Sequence, residues 1–389
     1  MRRMLSRRKF MSCGAGAAAS ALLGGCAHTG GISSPRRSSV PMPPGLETTG
    51  EQSLKAHAAR AGLLYGCAVA PKLLSSDAAY TQTILDQCDI LVAENAMKWA
   101  ALRPAFGQFN FDQADALLRF AEQHQMKLRG HNLLWHEALP KWFAAEVNRS
   151  NARQVLVEHI QSVAGRYAGR MHSWDVVNEV VWMKDGRPDG LRTSPWLELI
   201  GDDYIELAFR TARLADPTAL LAYNEFGIEL DTEDNQQKRD AVLLLLRRLK
   251  ARNVPIDAMG VQSHMRAVDM PGFTGAGLKK FMQDVRQLGM QVFLTEMDMA
   301  DKGLSGDTAK VDAAVADGYA KYLGAALSDP AVTVVLTWGI TDRYTWLSWN
   351  KEKKVAEPVR PLPFDRGYKA TEAFYAIRGA FDERKAGRA

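Results

Sequence analysis

Two glutamates in this chain are placed to do chemistry, and each closes an apolar run. Trp174-Asp175-Val176-Val177 reads as a buried strand broken by one acid, and it leads into Asn178-Glu179. A later run, Val292-Phe293-Leu294-Thr295, leads into Glu296. A carboxylic acid at a strand mouth can protonate a departing glycosidic oxygen, and an amide beside it can hold a sugar hydroxyl. One strand-end glutamate is weak evidence, because strands often end in a polar residue. Two of them, in a chain that also places Trp, His and Asn at strand ends, point to sugar chemistry.

The elements that must hold these residues alternate in type. Strand-like runs fall at 63–70, 90–93, 127–131, 173–178, 220–223, 258–262, 291–295 and 332–338. Amphipathic segments lie between them, at 111–125, 152–168, 205–215, 236–251 and 309–327. Strands separated by helices imply βαβ units and a parallel sheet. Eight repeats fit a single α/β domain, a closed (β/α)₈ TIM barrel, better than an open sheet. The active site is then expected at the C-terminal strand ends. Polar and aromatic residues do gather there, as in Glu94-Asn95-Ala96-Met97-Lys98-Trp99, in Tyr223-Asn224-Glu225 and in Gln262-Ser263-His264.

The 389 residues are 47% hydrophobic and 24% charged, the balance of a globular protein. The net charge of +5 sits entirely in residues 1–25, where Arg2, Arg3, Arg7, Arg8 and Lys9 face no acid. The rest is near neutral, so nothing electrostatic favours nucleic acid as a partner. Residues 1–26 read as an export signal. Ser6-Arg7-Arg8-Lys9-Phe10-Met11 resembles the twin-arginine signal, and Leu23-Gly24-Gly25-Cys26 resembles a lipobox whose cysteine is acylated. Export from a bacterial cytoplasm is expected, to a periplasmic or cell-surface lipoprotein anchored through Cys26, or otherwise to a secreted form. Residues 27–52, rich in Gly, Ser, Thr and Pro, read as a flexible linker, and 53–389 as the catalytic domain. Cys67 and Cys88 read equally as a disulfide or as two buried thiols. No CxxC or HExxH occurs, so no metal site or cofactor is expected.

Taken together, ENAMKW at 94–99, RGHNLLWH at 129–136, WDVVNE at 174–179, GVQSHM at 260–265, LTEMDM at 294–299 and TWGITDRYTWL at 337–347 resemble the family 10 glycoside hydrolases. These are retaining endo-1,4-β-xylanases on a (β/α)₈ barrel. The likeness runs from about residue 63 to 379. It implies Glu179 as general acid/base, Glu296 as nucleophile, and a hydrogen bond from His264 to Glu296. It implies Glu94, Asn95 and Lys98 as the hydroxyl-binding group two sugars from the bond, on the non-reducing side. His131, Trp135, Asn178 and Gln262 would surround the reacting sugar, Trp338 and Trp346 would wall it, and Tyr223 would line the leaving-group side. Asp298 is expected to support rather than react, and Glu225 to be structural. Trp99, Trp142, Trp174 and Trp182 are expected in the core or at the rim. The implied partners are xylan and xylooligosaccharides, bound by a monomer. A β-1,4-glucan hydrolase on the same barrel and a silent glycan-binding protein are the competing readings. Small departures are Val92-Ala93 before Glu94 and Lys369-Ala370-Thr371 near the end. No residues remain for a carbohydrate-binding module.

Overall fold

A computed structural model describes residues 47–350 and 355–386. The export segment, Cys26 and most of the linker therefore lie outside the described residues. Residues 47–52, the last of that linker, are already tied to the body. Gly50–Gln52 forms a 3₁₀ turn, the Thr48 carbonyl accepts from Gln87 Nε2 at 2.7 Å, and the Glu47 carbonyl accepts from Arg378.

The strands are β1 (Leu64–Val69), β2 (Ile90–Ala93), β3 (Lys127–His131), β4 (Ser173–Asn178), β5 (Leu220–Glu225), β6 (Ala258–Val261), the short β7 (His264–Arg266), β8 (Gln291–Ala300) and β9 (Val332–Thr337). Consecutive strands pair in parallel from β1 to β6, β6 then pairs with β8, β8 with β9, and β9 returns to β1. The ring is a closed eight-stranded parallel barrel with helices between its strands, the (β/α)₈ architecture. The expected strand at 291–295 continues to Ala300 because β7 pairs alongside it, His264 opposite Asp298. The expected strand at 258–262 stops one residue early, as Ser263 takes a φ of 65°.

The barrel interior is filled by Ala68, Ile90, Val92, Phe293, Val334 and Leu336. It also holds a cation: Arg129, fully buried, donates to Asp175 Oδ1 at 2.5 Å and to Ser173 Oγ at 2.9 Å. An unpaired guanidinium there would be costly, and the carboxylate removes that cost. Gly130 must be glycine, since a Cβ would sit 2.0 Å from the Trp174 ring.

The outer core lies between strands and helices. Helix Asp112–Gln123 buries Ala114, Leu117, Leu118 and Ala121, one stripe at helical spacing. Side-chain caps fix other helix starts: Thr232 accepts from Asn235 N, and Asp307 from Lys310 N. Trp99 and Trp174 are core residues, whereas Trp142 and Trp182 are partly exposed. Cys67 and Cys88 are buried free thiols with sulfurs 3.7 Å apart, which is the second of the two readings. No described helix is long and apolar enough to cross a membrane.

Candidate active site

Glu179 follows β4 and sits in the left-handed region, with φ at 58°. That conformation is unfavourable for a non-glycine residue and persists only where the surroundings enforce it. Here they do: Glu179 N donates to the Asn224 carbonyl at 3.0 Å, and Arg192 Nε donates to the Glu179 carbonyl at 2.7 Å. Its carboxyl accepts from Trp135 Nε1 at 3.0 Å and from Gln262 Nε2 at 3.0 Å. Trp135 is itself anchored, since Trp196 donates to its carbonyl at 2.8 Å.

Glu296 lies in the middle of β8 and is 6% exposed. Asn224 Nδ2 donates to its Oε1 at 2.7 Å, and His264 Nε2 stands 3.2 Å from its Oε2. His131 Nδ1 lies 4.0 Å from Oε1 and 3.0 Å from Asp175 Oδ2, which ties it to the Arg129–Asp175 pair. Asp298 is engaged from two sides: His264 Nδ1 lies at ion-pair distance, 3.0 Å away, and Trp346 Nε1 donates at 2.8 Å. Asp298, His264 and Glu296 thus form one line of alternating charge.

A bridge of amides joins the two carboxyls. Gln262 Nε2 reaches Glu179 and lies 3.3 Å from Asn178 Oδ1; Asn224 Nδ2 donates to Asn178 Oδ1 at 2.9 Å and to Glu296. Thr295 Oγ1 fixes the other end of Asn224, donating to its Oδ1 at 2.6 Å. Space for that amide comes from Gly260 on β6, where a Cβ would meet Asn224 Oδ1 at 2.3 Å.

The two environments push the carboxyls apart. Burial raises the Glu179 pKa, and the nearby Glu225 and Glu296 charges raise it further against its hydrogen bonds. Burial would raise Glu296 too. The neighbouring His131 and His264 imidazoles, with the donors His264 and Asn224, overcome that and hold it at about 2. Burial alone would make His264 neutral, but Asp298 and Glu296 keep it charged, well above the usual imidazole value. The site therefore presents to one cleft a carboxyl whose pKa is raised and one whose pKa is lowered, a separation suited to glycoside cleavage.

That cleft, of about 480 Å³, is lined by Lys98, His131, Trp135, Asn178, Gln262, His264, Trp338 and Trp346 together with both glutamates. Lys98 packs over the Trp135 and Trp338 rings, 5.2 and 5.8 Å from their centroids, and donates to Asn95 Oδ1 at 3.0 Å. Asn95 in turn donates to Glu94 Oε1 at 3.1 Å, so the three expected hydroxyl binders form one hydrogen-bonded group. Lys98 is the member that lines the cleft. Tyr223 departs from expectation. It is 1% exposed and its hydroxyl donates to Glu225 Oε2 at 2.7 Å, so it does not line the cleft. Its position on β5 places it in packed interior, and Phe226, the first residue beyond the strand, lines the cleft instead. Glu225 is fully buried, paired with Lys238 Nζ at 2.8 Å and accepting from Val181 N at 3.2 Å.

A family model, Glycosyl hydrolase family 10, matches residues 53–380. This chain belongs to that family. It is 32% identical over 306 residues to an endo-1,4-beta-xylanase B of Thermotoga neapolitana, covering 78% of this chain and 84% of that protein. It is 35% identical to an endo-1,4-beta-xylanase A of Thermoanaerobacterium saccharolyticum, over 80% of this chain, yet it spans only 26% of that longer protein. Among solved structures, xylanase 10B of Thermotoga petrophila RKU-1 in complex with xylobiose matches with a TM-score of 0.77 at 31% identity. That match covers 86% of this chain and 98% of the other.

For this family 10 member, sequence reasoning missed Asn224, which touches Glu296 directly. The signal was present, since Asn224 lies between Tyr223 and Glu225 at a strand end, but nothing local separates the residue that reaches Glu296 from its neighbours. Asp175 was read as a break in an apolar strand. It is the anchor of both Arg129 and His131. Arg192, which holds the Glu179 backbone, lies in a loop with no motif.

Proposed function

We propose that this chain is a retaining endo-β-1,4-xylanase in which Glu296 is the nucleophile and Glu179 the acid/base. The observation that carries the reading is the unlike surroundings of two carboxyls facing one cleft: His264 and Asn224 stand against Glu296 and hold its pKa at about 2, whereas Glu179, beside the neutral donors Trp135 and Gln262, is shifted upward. With a xylan chain bound, Glu179 gives its proton to the departing glycosidic oxygen while a Glu296 oxygen bonds to the anomeric carbon. The resulting glycosyl ester is hydrolysed when Glu179, now ionised, takes a proton from water and that water attacks the same carbon. Two inversions leave the configuration retained. Asn178, held by Asn224 and Gln262, is placed to bond the 2-hydroxyl of the reacting sugar, a contact that strengthens in the transition state. His131 and His264 stabilise the carboxylate before attack, and Trp338 and Trp346 give apolar faces to the sugars.

The xylan reading gains support from the Thermotoga relative and from the xylobiose-bound neighbour, both proteins of nearly the same length as the matched region. Proton NMR of the first product from a xylooligosaccharide should show the β-anomer ahead of mutarotation, and xylan should be cut faster than carboxymethylcellulose. A first product of α configuration would rule out Glu296 as nucleophile; faster cleavage of the glucan would rule out xylan as the preferred substrate.

A further inference from the structure

Beside the cleft lies a second depression that the mechanism above does not use. It has a volume of about 820 Å³ and is lined by Trp346, Trp349, Leu347, Leu304 and Val359, with Asp301, Lys302 and Glu357 at its margin. Trp346 lines both the cleft and this groove, so the two adjoin at that indole.

The aromatic content is unusual for an open surface. Trp346 is 49% exposed and Trp349 is 54% exposed. These are two of the eight large apolar side chains exposed among the described residues, and both line this one groove. A concentrated apolar patch, unlike a lone exposed residue, marks an interaction site. The indoles are also held in place. Trp346 Nε1 is fixed by Asp298 at 2.8 Å, and its ring meets His264 edge-on with centroids 5.2 Å apart. Trp349 opens β10 (Trp349–Asn350), which pairs with β11 (Val355–Ala356), Trp349 opposite Ala356. Glu357 N donates to the Ser348 carbonyl at 2.7 Å, and Arg360 N to Asp301 at 2.9 Å, so both margins are tied down.

We infer that the groove is a distal subsite in which Trp349 stacks on one further neutral sugar of the glycan held in the cleft. An indole face suits the C–H face of a pyranose or furanose. Carboxylate acceptors at the margin suit hydroxyl donors. Two sources share this chemistry: the next unit of the main chain beyond Trp346, or a neutral sugar carried as a branch. The inference rests on the xylan reading.

The test compares the wild type, Trp349→Ala and Trp349→Phe on an aryl xylobioside, xylohexaose and arabinofuranosyl-substituted xylooligosaccharides. Trp349→Ala should lower kcat/KM about 3- to 10-fold through KM on the substrate that reaches the groove, the scale of a single aromatic contact. It should leave the aryl xylobioside unchanged, and Trp349→Phe should recover most of the loss. A loss confined to xylohexaose assigns the main chain, and one confined to the substituted substrate assigns the branch. Equal kinetics for wild type and Trp349→Ala on every substrate, or an equal loss on the aryl xylobioside, would overturn the subsite while leaving the xylan reading standing. A wild type that hydrolyses none of the three would overturn both.

Discussion

The cleft mouth and the helical shell behind Trp99 bury the same kinds of group with opposite results. At the mouth, His264 has Glu296 on one nitrogen and Asp298 on the other, and it stays charged. In the shell, His159 on helix Ala152–Arg166 is fully buried and stacks on Trp99 with centroids 3.6 Å apart. Neither of its ring nitrogens has a protein hydrogen-bond partner. Burial, and then the positive Arg103, push its pKa well below the usual value. Desolvation opposes charge in both places, and the carboxylates beside His264 reverse the outcome there. The same contrast separates Glu296 from Glu179. Both are carboxyls facing one cleft, but the imidazoles stand beside Glu296, while Glu179 has neutral donors and other acids for company.

The sharpest way to break this contrast is to delete each carboxyl. Glu296→Ala should lower turnover by roughly four to six orders of magnitude on every substrate, the scale of losing a nucleophile. Glu179→Ala should cost roughly 10²- to 10⁴-fold on xylan, the scale of general acid catalysis. That second loss should shrink for a dinitrophenyl leaving group, which needs no proton, and added azide should restore turnover. If both variants show the same dependence on the leaving group, the two roles are wrongly divided.

A subtler break leaves both carboxyls in place. Asn224 Nδ2 gives Glu296 a hydrogen bond of 2.7 Å, which favours the ionised form. Asn224→Ala should cost about 1.5–3 kcal/mol of transition-state stabilisation, or roughly 10- to 100-fold in kcat/KM. It should also move the acid limb of the pH profile upward, because Glu296 then holds its proton to a higher pH. Gly260→Ala, which crowds Asn224, should move that limb in the same direction. A pH profile of kcat/KM checks both; an unmoved acid limb would reduce Asn224 to packing.

The eight strands could be read because parallel barrel strands are continuous apolar runs, and periodicity detects those directly. Their ends were harder. β8 runs on to Ala300 because β7 pairs with it, a tertiary event with no local trace. Motifs at strand ends brought Glu179, Glu296, His131, Gln262 and His264 together correctly in space, since a barrel collects all its strand ends at one mouth. The misplacement of Tyr223 has the same origin. Near a strand end, alternate residues face the mouth or the packed shell, and a one-residue difference in where the strand turns decides between them. The hydrogen-bonding network linking Asn224, Asn178 and Gln262 was out of reach, because each contact spans more than forty residues of sequence.

The smallest predicted effect tests the shell side of the contrast and is read in stability. His159 is neutral in the folded state down to a pH well below 6.5. In the unfolded chain it takes up a proton near 6.5. Above that pH both states are neutral and the residue gives no pH dependence. As pH falls through 6.5, only the unfolded state gains the proton, so stability is lost. The slope approaches about 1.4 kcal/mol per pH unit, which amounts to about 1.4 kcal/mol by pH 5.5. His159→Phe keeps an aromatic ring against Trp99 and removes the titration. Urea unfolding at pH 7 and pH 5.5 should show the variant losing about 1.4 kcal/mol less than the wild type between the two. His136 and His172, whose pKa values burial also lowers, to about 4 and about 3, remain in both proteins and cancel in the comparison. An identical loss in variant and wild type would mean that His159 accepts a proton in the folded shell without a partner, and the contrast with His264 would then fail.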